Sequence, residues 1–115
     1  MPQHLYAELL QDDQSAARSR ERSALDQSIA LMEQVARGQA SASESVTAIT
    51  YTSRLWTLLL QDLASPDNAL SRELKGQIVS VGIWILRELE RFRSGTVHSF
   101  DDIIDVTKVI RDGLQ

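Results

Sequence analysis

The chain has 115 residues, of which 43% are hydrophobic and 24% charged, with no cysteine and a net charge of -4. This length and apolar content predict one domain with its own core, and the lack of cysteine excludes disulfide bonds and thiolate metal sites. The most apolar run, residues 77–86, is about half as long as a membrane-spanning helix. The amino terminus lacks a basic segment followed by an apolar one, so we expect no cleavable signal. The composition favours a cytoplasmic protein without a membrane role.

The basic residues are too interspersed with acidic ones to predict nucleic-acid binding. Arg87, Arg91 and Arg93 alternate with Glu88 and Glu90. This alternation is typical of a solvated helix face rather than of a stripe that neutralises phosphates. We therefore expect no direct contact with nucleic acid.

The amino-terminal third predicts one long helix preceded by an arm. Residues 1–14 carry a small apolar cluster, which is compatible with either a flexible arm or a short helix that docks on a partner. From Ser15 a helical period begins, and Gly38 is placed to end it in a left-handed cap. The residues predicted to face inward are Leu25, Ile29, Met32 and Val35 or Ala36.

A second helix is predicted from a capping box at Ser41 and Glu44, in which each side chain accepts from the other's backbone amide. It ends before Pro66, which forces the preceding residue out of helical geometry. Its main apolar stripe is Val46, Ile49, Ser53, Trp56, Leu60 and Leu63, and this stripe is widened by Leu55, Leu58 and Leu59. A stripe this wide predicts a central helix that contacts neighbours on several sides.

A third helix is predicted between Ser71, as its cap, and Gly95. Residues 78–86 are rich in β-branched side chains, but the flanking residues are good helix formers and the helical spacing continues throughout. Gly82 in the middle of this helix predicts a close crossing with a neighbouring helix. The predicted inward residues are Leu74, Ile78, Val81, Ile85, Leu89 and Phe92.

A shorter fourth helix is predicted from Ser99, as its cap, to Gly113. Asp101 and Asp102 lie in its first turn, where the helix dipole favours negative charge. Its apolar residues are Phe100, Ile103, Ile104, Val106, Val109 and Ile110. The fold class that follows is all-α: a compact antiparallel bundle of three long helices and a shorter carboxyl-terminal one, with residues 15–115 as a single domain.

No motif predicts catalysis, a cofactor or a metal. His4 and His98 have no partner at metal-ligand spacing. Asp101, Asp102 and Asp105 could in principle bind a hard cation, but the start of a helix already explains Asp101 and Asp102. We found neither a phosphate-binding glycine loop nor a Ser-His-Asp set. The sequence therefore predicts a protein that is not an enzyme and that has no cofactor.

The apolar surplus on the second and third helices predicts a binding surface instead. Each carries more apolar residues than one core-facing stripe requires, so a helix of another protein or a second copy of this chain would find a groove there. Buried tryptophans are usually core, and less often the anchor of an interface. The residues predicted to contact a partner are Trp56, Leu59, Leu63, Val79, Ile83 and Leu86.

Three ordered blocks of the chain resemble the flagellar biosynthesis regulator FlaF family of alphaproteobacteria. The first runs from Arg54-Leu55-Trp56 through the turn at residues 62–70 to Ile78. The second is Ser80-Val81-Gly82-Ile83-Trp84-Ile85-Leu86-Arg87-Glu88. The third covers residues 103–114, with Thr107 where the family tends to have Asn. The amino-terminal part resembles the family only loosely, in Arg18, Glu21 and Leu25.

The resemblance implies a small, helical, cytoplasmic protein needed for flagellum assembly. Under one hypothesis it is a secretion chaperone that binds the terminal helical segments of flagellin. Under a second it regulates flagellin synthesis with the partner FlbT, at the level of flagellin messenger RNA, through a patch at Arg18, Arg20 and Arg22. A homodimeric scaffold is a third reading, and the sequence leaves monomer and homodimer open.

Overall fold

A computed structural model describes residues 3–38 and 40–114, with side chains described from residue 15 onward. The chain forms four helices, α1 (Gln3–Ala36), α2 (Ala42–Ala64), α3 (Arg72–Arg93) and α4 (Asp101–Gly113). Within the described ranges there is no strand. This confirms the predicted all-α class with three long helices and a shorter fourth.

Helix α1 begins earlier than the pattern predicted. The helical period indicated a start near Ser15, whereas the backbone is helical from Gln3. The apolar cluster predicted in the arm, at Leu5, Tyr6, Leu9 and Leu10, lies outside the residues whose side chains are described.

Most of the helices begin and end at the predicted capping residues. Ser41 and Glu44 form the reciprocal capping box of α2, and Ser71 accepts from the amide of Leu74 at the start of α3. Gly38 and Gly95 have φ of 76° and 81°, the left-handed conformation that glycine adopts without a steric penalty.

The predicted cap of α4 is wrong by one position. Phe100 is the N-cap, and it provides no side-chain hydrogen bond. Ser99 lies one residue earlier, where its Oγ accepts from the amide of Asp101 at 3.1 Å. Phe100 takes the cap position because its ring is buried and stacks on Phe92 of α3, with 3.9 Å between ring centroids. Packing of the aromatic ring thus decides where α4 begins.

The helices pack in chain order, and α4 closes the bundle against α1. The antiparallel register of α1 and α2 is visible at both ends: Gln34 donates to Glu44 at 2.9 Å, and Glu21 lines the same small cavity as Asp62. With 34 residues against 23, α1 is longer than α2 by about 16 Å at 1.5 Å per residue. The excess lies at the amino end of α1.

The core is made of one inward stripe from each helix. Its buried apolar members are Leu25, Ile29, Met32, Ala48, Trp56, Leu63, Ile78, Ile85, Leu89, Phe100, Ile103, Ile104 and Leu114. On α1 the predicted stripe is confirmed for Leu25, Ile29 and Met32, and it continues through half-buried Val35 rather than exposed Ala36.

Three residues predicted on apolar stripes face solvent. Val46 and Leu58 of α2 are 60% and 62% exposed, and Val109 of α4 is 70% exposed. On α2 the inward positions are taken by Ala48 and Thr52, two turns and one turn before Trp56 respectively. Since apolar residues occur on both sides of α2, spacing alone did not distinguish the buried side from the exposed one.

The predicted close crossing at Gly82 is confirmed. A β-carbon at this position would lie 2.9 Å from both Leu60 Cδ2 and Trp56 Cε3 of α2. Only glycine lets the α2 and α3 backbones approach this closely. This close contact fixes the position of α2 against α3.

The buried hydroxyl groups differ in whether they have a hydrogen-bond partner. Ser28 Oγ donates to the carbonyl of Leu25 at 2.7 Å, and Thr107 Oγ1 donates to that of Ile103 at 2.6 Å. Thr107, the position that departs from the family pattern, therefore makes its polar contact within its own helix. Thr52 Oγ1 and Trp56 Nε1 have no hydrogen-bond partner among the described residues.

Candidate partner-binding groove

Two of the residues predicted to contact a partner belong to the core. Trp56 has no exposed surface and Leu63 is 8% exposed. Leu59 is half-buried, and with Leu63 it lines a small cavity of about 20 Å³ that Ile78 and Leu114 also line. In this conformation Trp56 and Leu63 hold the bundle together and offer no surface to a partner.

The other three predicted residues share one flank of α3. Val79, Ile83 and Leu86 are four and three residues apart, so they follow one another along the helix surface. Ile83 is 41% exposed, whereas Val79 and Leu86 are half-buried and pack against the core. The predicted set is therefore divided between the interior and this flank and does not form one surface.

An open apolar groove lies elsewhere, between α1 and α2. This α1/α2 groove has a volume of about 590 Å³ and more apolar than polar lining. Val46 and Leu58 on its α2 side are 60% and 62% exposed. Its lining residues are Ala24, Val46, Thr47, Thr50, Tyr51, Arg54, Leu55 and Leu58.

The groove follows from the composition of α2 and from a small residue on α1. Arg54 is the only charged residue between Glu44 and Asp62, so the outer face of α2 has hydroxyl and apolar side chains where surface helices usually have charges. Ala24, the α1 residue in the lining, ends at its β-carbon and leaves the space beside Tyr51 and Leu55 open. Between Val46 and Leu58 the groove runs about 18 Å along the helix.

Apolar surplus alone does not predict this groove. The apolar spacing places Val46 on the inward stripe of α2, and it gives no indication of the surface on which Tyr51 lies. The signal that identifies the groove is the long stretch without acidic residues or lysine around a single Arg54. A helix face that lacks charge and is not buried is a candidate interaction surface.

On the opposite side of α1, ion pairs connect α1 to α4. Arg111 Nη1 of α4 lies 3.1 Å from Asp26 Oδ1, and Lys108 Nζ lies 3.4 Å from Glu33 Oε1. Arg111 also contacts its neighbour Asp112, and these carboxylates raise the pKa of its guanidinium. We call this contact, defined by the Asp26–Arg111 and Glu33–Lys108 pairs, the α1/α4 seam.

The arginine trio of α1 does not form one patch. Residues two apart on a helix point to different sides. Arg22 lines a polar cleft beside the α1/α4 seam together with Asp26 and Arg111. Arg20 is exposed and lies one turn before Ala24, which lines the α1/α2 groove, and Arg18 is half-buried.

A carboxylate pair lies at the end of the bundle where α2 turns into α3. Burial raises the pKa of Glu21, and nearby Asp62 raises it further, while Arg18 and Arg20 act in the opposite direction. Asp62 itself accepts a 2.9 Å hydrogen bond from Asn68 Nδ2 in the turn. The pair lines the same small cavity as Leu59 and Leu63, and neither carboxylate lines the α1/α2 groove.

The described part of the chain contains no group of three side chains able to hold a metal ion. Asp101, Asp102 and Asp105 are all exposed on α4. His98 is exposed in the loop before α4, and the side chain of His4 lies outside the described residues. In the same part of the chain, no helix is both long and apolar enough to cross a membrane.

Comparison with known proteins relates the whole chain to one family. Searches of curated proteins and of solved structures give no match. The family model of the flagellar protein FlaF matches residues 2–114, which include all four helices and the amino-terminal segment that had resembled the family only loosely. The chain belongs to the FlaF family of flagellar proteins.

Proposed function

We propose that this protein binds flagellin in the cytoplasm as a secretion chaperone, and that it thereby promotes flagellin production and export. The observation that carries the proposal is the open α1/α2 groove on a member of a flagellar family. The groove is the site at which we place flagellin, in preference to the α2 and α3 residues predicted from the sequence.

The shape and lining of the groove suit a helical ligand. An amphipathic helix inserts apolar side chains three and four residues apart into a groove of this kind. The about 18 Å between Val46 and Leu58 corresponds to roughly three turns of such a helix. Tyr51 adds an aromatic side chain, a residue type enriched among the strongest contacts of interfaces.

Flagellin supplies a ligand of this type if its terminal segments fold only on binding. A segment that becomes ordered when it binds loses conformational entropy, so its affinity is lower than its contact area would suggest. A moderate affinity suits a chaperone, because its cargo has to leave for export.

The test is size-exclusion chromatography with light scattering of this protein alone, with purified monomeric flagellin, and with flagellin truncated at either end. The proposal predicts a complex that one truncation abolishes, which would also identify the bound segment. A well-folded protein that forms no complex at micromolar concentrations would contradict it and favour the FlbT-linked regulator. The run of the protein alone reports whether it is a monomer or a homodimer.

A further inference from the structure

The charge of the α1/α2 groove has one sign. Arg54 is the only charged residue in its lining. Among residues 15–38 and 40–114, no carboxylate oxygen lies within ion-pair distance of Arg54, so its charge is free to pair with a ligand. Exposed Arg20, one turn before Ala24, adds a second cation on the α1 side. The groove is thus apolar and cationic in a chain whose net charge is -4.

From this complementarity we infer that the occupant of the groove is an amphipathic helix with carboxylates beside its apolar stripe, one of which pairs with Arg54. The inference rests on the proposed function, since the helix is taken to belong to flagellin. The apolar contacts with Val46, Tyr51 and Leu58 provide the affinity. The cations select which helix binds and how it is oriented.

The same charges argue against a second copy of this chain as the occupant. A two-fold symmetric contact brings each patch onto itself. Arg54 lies near the middle of the groove, between Val46 and Leu58, so a two-fold axis through the centre of the groove would bring the Arg54 side chains of two copies close together with no carboxylate in the lining to pair with them. Like charges placed together in an interface are unfavourable.

The experiment measures the affinity for purified monomeric flagellin of the wild type and of two charge-reversed variants, Arg54→Glu and Arg87→Glu. Arg87 is the matched control, because it is an exposed arginine on α3 and its reversal changes the net charge equally. We expect Arg54→Glu to weaken binding about tenfold and Arg87→Glu to change it less than about twofold. Salt should weaken wild-type binding and have less effect on Arg54→Glu. Equal affinities of the two variants would overturn the inference while leaving flagellin binding intact.

A second probe separates this inference from the proposed function. Two synthetic amphipathic helices share one apolar stripe and carry either glutamate or lysine beside it, and their binding is followed by fluorescence anisotropy of a label on the peptide. The glutamate peptide should bind the wild type at least about fivefold more tightly, and Arg54→Glu should reverse the preference.

The peptide result stands whether or not flagellin binds. If flagellin fails to bind but the glutamate peptide is preferred, the proposed function is wrong, and the inference that the groove binds an amphipathic helix with carboxylates still holds. Binding of both peptides with equal affinity, or of neither, would overturn the inference. A dimer of this chain that Val46→Asp converts to a monomer would also overturn it, because the groove would then belong to a second copy.

Discussion

The two surfaces that flank α1 are built from opposite materials. Towards α4, α1 presents Asp26 and Glu33, which pair with Arg111 and Lys108 across the α1/α4 seam. Towards α2, the open surface consists of Ala24 of α1 and of apolar side chains and Arg54 of α2, and Arg54 has no ion-pair partner among the described residues. The α1/α4 seam is completed within the chain, whereas the α1/α2 groove leaves apolar surface and a cation exposed. A surface that the fold itself does not complete is where a partner is expected.

The largest expected effect is the loss of flagellin binding when a carboxylate enters the groove. Val46→Asp would place an unpaired charge among apolar contacts and should weaken binding about 30-fold or more. Val109→Asp is the matched control, since Val109 is also an exposed valine, at 70% against 60% for Val46, and lies on α4. Affinity is measured by isothermal titration, with circular dichroism to check the fold. Equal losses in both variants would remove the distinction between the two sides of α1.

A second prediction concerns the contact that holds α2 in position from α3. Gly82→Ala should lower the free energy of unfolding by about 1–2 kcal/mol, because its β-carbon meets Leu60 and Trp56 at 2.9 Å. Gly76→Ala, in the same helix with nothing within 4 Å, should raise it by about 1 kcal/mol through helix propensity. Urea unfolding of both variants measures the difference. Equal stabilisation by both changes would show that α2 does not depend on this crossing.

The α1/α4 seam should respond to salt and not to flagellin. Lys108→Gln removes the ion pair with Glu33. Because the side chains of Lys108 and Glu33 are 43% and 34% exposed, we expect the free energy of unfolding to fall by at most about 0.5 kcal/mol. The loss should shrink at high salt, and affinity for flagellin should stay the same. A marked loss of flagellin binding in Lys108→Gln would place the partner at the α1/α4 seam.

The smallest expected effect is the pH dependence caused by Glu21. Because its pKa in the folded state lies above the ordinary value of 4.5, the native state retains a proton that the unfolded chain has lost, and stability falls as pH rises through that window. Glu21→Gln should therefore raise Tm at neutral pH. The difference should shrink as pH falls to 4.5 and below, because Glu21 becomes protonated first in the folded state and then in the unfolded chain. A Tm difference that does not change between pH 4 and pH 8 would contradict this.

The inward faces of α1 and α3 could be predicted because charged residues mark their outer sides. Ile78, Ile85 and Leu89 were placed correctly on a helix whose other face alternates arginine and glutamate. On α2 the same reasoning failed at Val46, because the outer face has almost no charges to distinguish it from the inner one. The spacing of apolar residues predicts that a segment is helical, and the positions of its polar residues predict which face is exposed to solvent.

The groove was harder to predict than the fold for the same reason. Trp56 and Leu63 are residues of the kind, and at the spacing, that also occur in protein–protein interfaces. Only the three-dimensional packing shows that they belong to the core. The opening beside Tyr51 depends on Ala24, which lies far away in sequence and which no local pattern connects with α2. What the sequence does contain is the isolation of Arg54, and that feature becomes meaningful once the face is known to be exposed.

Flagellin binding in the α1/α2 groove is tested most directly by site-specific photo-crosslinking to flagellin from three exposed apolar positions on three different helices. A photoreactive amino acid would replace Leu58 in the groove, Ile83 on the α3 flank or Val109 on α4, which are 62%, 41% and 70% exposed. We expect a flagellin adduct from position 58 and none from positions 83 and 109. An adduct from position 83 without one from position 58 would contradict this and return the site to the α3 flank.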